Sequence, residues 1–525
     1  MRAQRKQLSH DAVMAAVIGA VYLAYGIWLS NNDLVFPDAM SRVANGYYVL
    51  FSRDPHLAAI GFVWNPLPSL ATIPLLALSP VIPVLATKAF AGILVCILSG
   101  VIAMVFARRI FVEFGVSPGW ALTFTGVLAI QPLVLISSAA GASEAMLLAT
   151  SLYTTLHLTK WLGRDDPWHL VHAGLGLGLA YLVRYEAAAA ALAVTIVVFV
   201  LGLWRARQHG RAKSLAILDC FLVGSPFAAA FFIWALISKL VAGSWFETYT
   251  SAYGNTAQVT TARISIESIT GSDLFTKLAY LSTQLFSVAP LALVFVVISG
   301  IIAWRRRDAR VLAAAAVLGG ILAFDEWAFL NGSSFGWLRF QFMAIPWGFL
   351  MAGYILGAVK VRNPMSKVKT ATAWGMLVAL LAPLPLAWGA TLDPKLAREE
   401  ALTIEAGRAG QYQVQAQVAD YLDSLNLPNG SVITDVAYSF PIVLASRNPH
   451  QFVITPDRDF TTMLEDPLAK GVKYALMTGP LAAQADALSR RFPDLFDNGG
   501  GIAKLDREWV DGRGSQWRIY IFTYA

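Results

Sequence analysis

Six ionisable side chains, Asp38, Arg42, Glu144, Arg184, Glu186 and Arg339, stand at the borders of long apolar runs. A charge placed there is costly unless it is paired or does chemistry. Asp38 follows Pro37 and opens a stretch in which Met40, Val43, Ala44, Tyr47 and Leu50 recur at helical spacing, so residues 38–51 are read as an amphipathic helix lying on the membrane surface. Asp38 then has two readings: the N-cap of that helix, or a carboxylate held at the interface to act as a general base. Arg42, one turn on, shares its face and has the chemistry to hold a phosphate. Glu144, Arg184, Glu186 and Arg339 each read equally well as snorkelling side chains or structural ion pairs. Their arrival at one membrane face with Asp38, from distant points in the chain, is what suggests a site.

The same loop carries Trp64-Asn65-Pro66-Leu67-Pro68, followed by an apolar stretch, 69–78, too short and too Pro-broken to cross a bilayer. It is expected to enter and leave one leaflet. Trp64 reads first as an interfacial anchor and His56 as a surface residue; with Asn65 and Tyr185 they complete the candidate substrate contacts. Other signals are weaker. Gly174-Leu175-Gly176-Leu177-Gly178 lies inside an apolar run with no strand before it, which favours close helix packing over phosphate binding. Thr455-Pro456-Asp457-Arg458-Asp459 follows an expected strand and reads as a ligand loop or, more simply, as Asp459 capping the next helix. No zinc-type Cys/His spacing and no Gly-x-Ser-x-Gly elbow occurs in the sequence.

The elements that position these residues follow from hydropathy. Of 525 residues, 57% are hydrophobic and 14% charged, more apolar surface than one water-soluble core can bury, so the membrane is the main solvent. The net charge of +7 does not mark a nucleic-acid binder, because Lys and Arg cluster at the ends of apolar runs: Arg108-Arg109, Arg205 to Lys213 with Arg211, Arg305-Arg306-Arg307, and Lys360 with Arg362. Reading these clusters as cytoplasmic gives about eleven transmembrane helices, with the N-terminus inside, an uncleaved first span and everything after the last span outside. Residues 1–390 form the membrane part. Residues 391–525 change character to short apolar runs between amphipathic stretches, a soluble α/β domain of three layers, with strands expected at 431–435, 452–456, 473–478, 501–510 and 517–523 and a helix at 412–425.

The residues Pro37-Asp38, Asn65-Pro66-Leu67-Pro68, Ser143-Glu144, Arg184-Tyr185-Glu186 and Arg339-Phe340 with Pro346, on this architecture, resemble the GT-C superfamily of membrane glycosyltransferases, and within it the bacterial arabinosyl- and mannosyltransferases. Asp38 is followed by Ala39, where the protein O-mannosyltransferase branch has a second acid; Asp33 and Asp54 are the alternative carboxylates of the loop. The resemblance implies a polyprenyl-phosphate sugar donor in the plasma (inner) membrane, its phosphate at Arg42, Arg184 or Arg339, and an extracytoplasmic glycan, lipid or protein acceptor. It further implies Asp38 as base and Glu144 positioning the acceptor or holding a divalent cation, with no cofactor required. The rival classes are a transporter or flippase of a lipid-linked saccharide, with polar groups at the bilayer midplane and two related halves, and a non-catalytic scaffold.

Overall fold

The computed structural model describes residues 2–209, 212–359, 367–479 and 486–523; Arg211, Lys360 and Arg362 lie outside them. Among the described residues seven helices are long and apolar enough to cross a membrane: His10–Asn31, Phe90–Glu113, Ala187–Gln208, Ser214–Ala242, Val311–Leu330, Leu338–Ala358 and Lys367–Leu392. Two further runs are bent pairs, Pro118–Ala129 with Pro132–Ala139 at 71° and Leu274–Val288 with Ala292–Arg306 at 81°, which brings the number to nine by length and composition. Each break has a local cause: Pro132, and the Ala289-Pro290 pair, remove backbone donors and push the preceding residue out of the helical region.

The eleven expected spans therefore differ from the structure at two places. Glu144–Arg164 is a full helix whose face of Thr150, Thr154, His157 and Lys160 makes it too polar to qualify. Trp168–Val183 has 16 residues, about 24 Å at 1.5 Å per residue and short of a bilayer core of about 30 Å. The two pack on each other as a hairpin. At the end of the bundle that bears the basic clusters, Asp11 of the first helix is buried between Arg108, to which it is hydrogen-bonded, and Arg109 at 3.1 Å, pinning the first span to Phe90–Glu113.

Close approach between spans comes from the glycines. A Cβ on Gly174 would stand 2.6 Å from the Val223 carbonyl oxygen, and one on Gly178 2.9 Å from that of Pro226, so Trp168–Val183 and Ser214–Ala242 touch backbone to backbone. Gly174→Val is therefore expected to lower stability by about 1–3 kcal/mol through overpacking. Gly126, whose Cβ would meet nothing within 4 Å, should tolerate alanine; thermal melts of the two detergent-solubilised variants check the contrast.

The outer loop is not a surface strap. Pro37–Phe51 forms as a helix, but it buries Ala39, Met40, Arg42, Val43, Ala44, Tyr47 and Tyr48. It packs against Leu67–Leu76, Phe90–Glu113 and, from above, Val436–Ala445 of the C-terminal part. The expected helix on the membrane surface is thus a helix sandwiched between two layers of protein. Leu67–Leu76, with Pro74 inside it, is followed by turns and the short helix Val84–Thr87; at about 15 Å it is half the length needed to cross a bilayer.

The last apolar helix ends at Leu392, and the chain beyond builds an α/β unit. Its strands β1 (Val432–Thr434), β2 (Phe452–Ile454), β3 (Tyr474–Thr478), β4 (Ala503–Val510) and β5 (Gln516–Phe522) lie in the order β2-β1-β3-β5-β4, the first three parallel and β5 antiparallel to both its neighbours. Side chains alternate across it. Val432, Ile454, Leu476 and Ile519 face Gln411–Ser424 and Val436–Ala445, in one continuous core with the membrane helices. Ile433, Val453, Ala475 and Tyr520 face a second cluster with Phe460, Leu488 and Phe496. Three layers result, and the inner one is shared with the bundle. Ion pairs lock the two parts: Arg53 to Asp457 at 3.0 Å and to Asp459, and Asp54 to Arg458. The loop 455–459 serves this junction, and Asp459 makes no capping hydrogen bond.

Candidate functional site

Asp38 occupies the first turn of its helix, but Phe36 is the cap residue and the Asp38 carboxylate caps nothing. It turns instead to Arg339, accepting a hydrogen bond from Nη2 at 2.7 Å. Arg339 sits in the single turn Leu338–Gln341 that leads into Ala344–Ala358, and its Nη1 lies 3.5 Å from Glu144. Glu144 opens the helix Glu144–Arg164, where the helix dipole favours an anion. Arg184 holds the extended break between two helices and spans Glu144 and Glu186, donating from Nε to Glu186 at 2.8 Å and from Nη1 to Ser143 Oγ at 3.4 Å. Phe340 lies under both guanidinium groups, 5.6 Å from Arg184 and 5.7 Å from Arg339.

Five of the six charged residues are thus joined in one chain of ion pairs. The sixth, Arg42, is different. It is 5% exposed, stands 5.0 Å over the ring of Trp64, and its buried Nε has no hydrogen-bond partner. It borders a small cleft lined also by Pro68, Thr72, Ser99, Cys96, Ser143 and Met146, mostly apolar with a few hydroxyls. Burial pulls Arg42 down to about 10, partly offset by Asp38, so it is a cation at neutral pH. Burial opposes ionisation of Asp38, but the charges of Arg339 and then Arg42 outweigh it and hold the carboxyl below its ordinary value. The Asp38 side chain keeps 27% of its surface, against 4% for Glu144 and 3% for Glu186. It is the accessible acid of the cluster.

The remaining candidates divide. Trp64 supports Arg42, and Asn65 donates to the Tyr181 carbonyl, tying the loop to a span. Tyr185 points from the cluster into an aromatic group, 5.5 Å from Tyr249 and 6.0 Å from Phe324. His56 is not brought to the site; its Nδ1 lies 2.6 Å from the Asp54 carbonyl at the domain junction. Asp33 pairs with Lys88 and Asp54 with Arg458, so both alternative loop carboxylates are engaged elsewhere.

Four acids enter the neighbourhood that sequence reasoning passed over. Asp325 and Glu326 end the span Val311–Leu330, and the charges acting most on Asp325 are Glu186 and Arg184; two acids inside an apolar run were a readable signal. Glu399 and Glu400, in the helix Arg398–Arg408, gave none, because a polar helix after the last span looks like any soluble surface. Glu399 Oε2 lies 3.0 Å from Arg339 Nε. Burial lifts Glu400 from 4.5 to about 7. Below pH 4.5 it is protonated folded or unfolded; from there to pH 7 only the unfolded chain ionises, so stability drains as pH rises, by about 3 kcal/mol in all. Glu400→Gln should match wild type at pH 4.5 and gain on it steadily up to pH 7, read as the difference in Tm across that range.

Among the described residues no three His, Cys, Asp or Glu side chains are spaced to hold a metal ion, and Glu144 is already shared between two guanidinium groups.

The fold has solved counterparts. ArnT from Cupriavidus metallidurans bound to undecaprenyl phosphate superposes with a TM-score of 0.52 at 13% sequence identity, covering 98% of this chain and 98% of that one. AglB, the archaeal oligosaccharyltransferase from Archaeoglobus fulgidus in complex with an inhibitory peptide and a dolichol-phosphate, gives a TM-score of 0.45 at 13% identity over 90% of this chain and 69% of that one. No family model and no curated protein matches the sequence. The chain is a multi-pass membrane protein that shares the fold of the ArnT structure and carries a small C-terminal sheet.

Proposed function

We propose that this protein is a glycosyltransferase that moves a sugar from a polyprenyl-phosphate donor to a hydroxyl of an extracytoplasmic glycan, lipid or protein acceptor. The observation that carries the reading is the juxtaposition of an accessible, ionised carboxylate, Asp38, with a buried guanidinium, Arg42, whose Nε has no hydrogen-bond partner and which borders a mostly apolar cleft. A buried unpaired cation is expensive unless an anion comes to it. A phosphate on a greasy tail supplies both halves of that complement. The fold shared with a structure holding undecaprenyl phosphate supports the same choice.

The chemistry follows from the residues. Arg42, helped by Arg184 and Arg339, takes the charge that gathers on the phosphate as the bond from the anomeric carbon to the phosphate oxygen breaks and its electron pair leaves with that oxygen. A bond forms from the acceptor oxygen to the same carbon on the opposite face, which inverts the centre. The acceptor's proton passes to Asp38. Phosphate is a good leaving group, so no strong general acid is needed.

Lys and Arg at the far end of the bundle support insertion in the plasma (inner) membrane with those ends cytoplasmic, which puts the site and the C-terminal unit outside. The cluster sits at helix ends, in the first turn of Glu144–Arg164 and the caps around Arg184 and Arg339, where a transferase site belongs; a flippase would bring its charges to mid-helix. Purified protein incubated with a panel of polyprenyl-phosphate sugars should consume at least one and release polyprenyl phosphate. Failure to consume any of them, with or without added acceptor extract, overturns the reading.

A further inference from the structure

Arg339 carries one positive charge, yet carboxylates from three separate parts of the chain reach it: Asp38 at Nη2, Glu144 at Nη1 and Glu399 at Nε. The contacts are unequal. Asp38 makes a hydrogen bond. Glu399 approaches to 3.0 Å, but Arg339 Nε and Glu399 Oε2, both buried, are each left without a hydrogen-bond partner. This is attraction without the directional bond that makes an arginine–carboxylate pair strong, and it is the most readily exchanged of the three. Burial pushes the Glu399 carboxyl well above its ordinary value, against the pull of Arg339.

Glu399 belongs to the first helix after the last span. That helix is braced on the segment leading to Asp38: a Cβ on Gly407 would stand 3.0 Å from the Asp33 carbonyl oxygen, and Tyr412, at the start of the next helix, donates to the Val35 carbonyl at 3.1 Å. The C-terminal part therefore lends the site a carboxylate held in register with the base. Nothing in proton transfer or sugar displacement requires a third acid on Arg339. A lipid phosphate arriving at Arg42 and Arg339 does require one of the resident carboxyl groups to give way.

Resting on the transferase reading above, we propose that Glu399 is a resident carboxyl group that occupies Arg339 Nε in the free enzyme and yields that place to the donor's phosphate. Glu399 thereby sets the affinity for lipid phosphate, and its return helps expel the product, which carries more negative charge than the donor because the phosphodiester has become a monoester. Asp38 and Glu144 keep their hold on the terminal nitrogens throughout, so the arginine does not swing away.

The test uses the full-length protein in detergent and undecaprenyl phosphate as the probe, with Kd read by titration and product inhibition read from turnover. Glu399→Gln is expected to bind the lipid phosphate about tenfold more tightly than wild type, and to show correspondingly stronger product inhibition. Glu399→Asp, whose shorter arm withdraws the carboxylate, should gain about threefold by the same argument and serves if the Gln variant does not fold. A side chain with a purely structural role would lose affinity when replaced. Equal or weaker binding in whichever variant folds overturns the proposal. No binding by wild type would instead overturn the transferase reading itself.

Discussion

Asp38→Asn is expected to lower kcat by about a thousandfold or more, the range a positioned general base contributes, while lipid-phosphate binding survives. The amide keeps the shape of the side chain and can still sit against Arg339, but it cannot take a proton. The cluster should hold, because Arg339 retains Glu144 and Glu399 and the Asp38 side chain is partly solvated, so little buried charge is left uncompensated. Single-turnover transfer and a separate lipid-phosphate titration on the same preparation check both halves. Asp33→Asn and Asp54→Asn are the controls; each should leave transfer intact and loosen only its own contact, to Lys88 or to Arg458. Turnover undiminished in Asp38→Asn, or abolished in Asp33→Asn, would remove Asp38 from the mechanism.

What could be read from the sequence was whatever is fixed by solvent. The apolar runs became helices and the five short runs after residue 430 became the five strands, each within about three residues of its expected start, because partition into lipid or into a sheet interior depends on local composition. The number of crossings was not readable, because it turns on breaks such as Ala129 to Pro132 and on how polar a helix the bundle can shield. Likewise the helix Pro37–Phe51 was legible as a helix with one apolar face, but its opposite face is covered by Val436–Ala445, four hundred residues later in the chain. Amphipathicity says which face avoids water and not what arrives to cover the other.

The candidate site shows the same division. Asp38, Glu144, Arg184, Glu186 and Arg339 were conspicuous as charges beside apolar runs, and the chain does gather them into one network. Their partners were not legible. Asp38 read as a helix cap or a base and turned out to cap nothing, since pairing to Arg339 is a contact across 301 residues. Glu399 had no sequence signal at all: its importance comes only from the turn between the last span and the sheet, which folds it back onto the bundle.

The three arginines offer the sharpest separation of structure from function, because they differ in what they leave behind. Arg184 is the main cation for two buried carboxylates, Glu144 and Glu186. Removing it by Arg184→Gln strands Glu186 and leaves Glu144 with only Arg339 at 3.5 Å; breaking a buried pair in this way costs about 3–5 kcal/mol, so the variant should show a sharply lowered Tm and a poor yield of folded protein whatever happens to activity. Arg42 makes no ion pair of its own, and Asp38, which feels its charge, keeps the guanidinium of Arg339 at 2.7 Å. Arg42→Gln, which relieves a buried charge and loses its contact with Trp64, should therefore melt within a few degrees of wild type, about 1 kcal/mol either way. Its affinity for lipid phosphate should nevertheless fall about a hundredfold, the 2–3 kcal/mol of a lost charge-assisted contact in a buried site. The pair is read by measuring Tm and undecaprenyl-phosphate affinity on both variants. A destabilised Arg42→Gln would make that guanidinium a structural counter-ion, and a stable one that binds lipid phosphate as wild type does would remove it from the donor site.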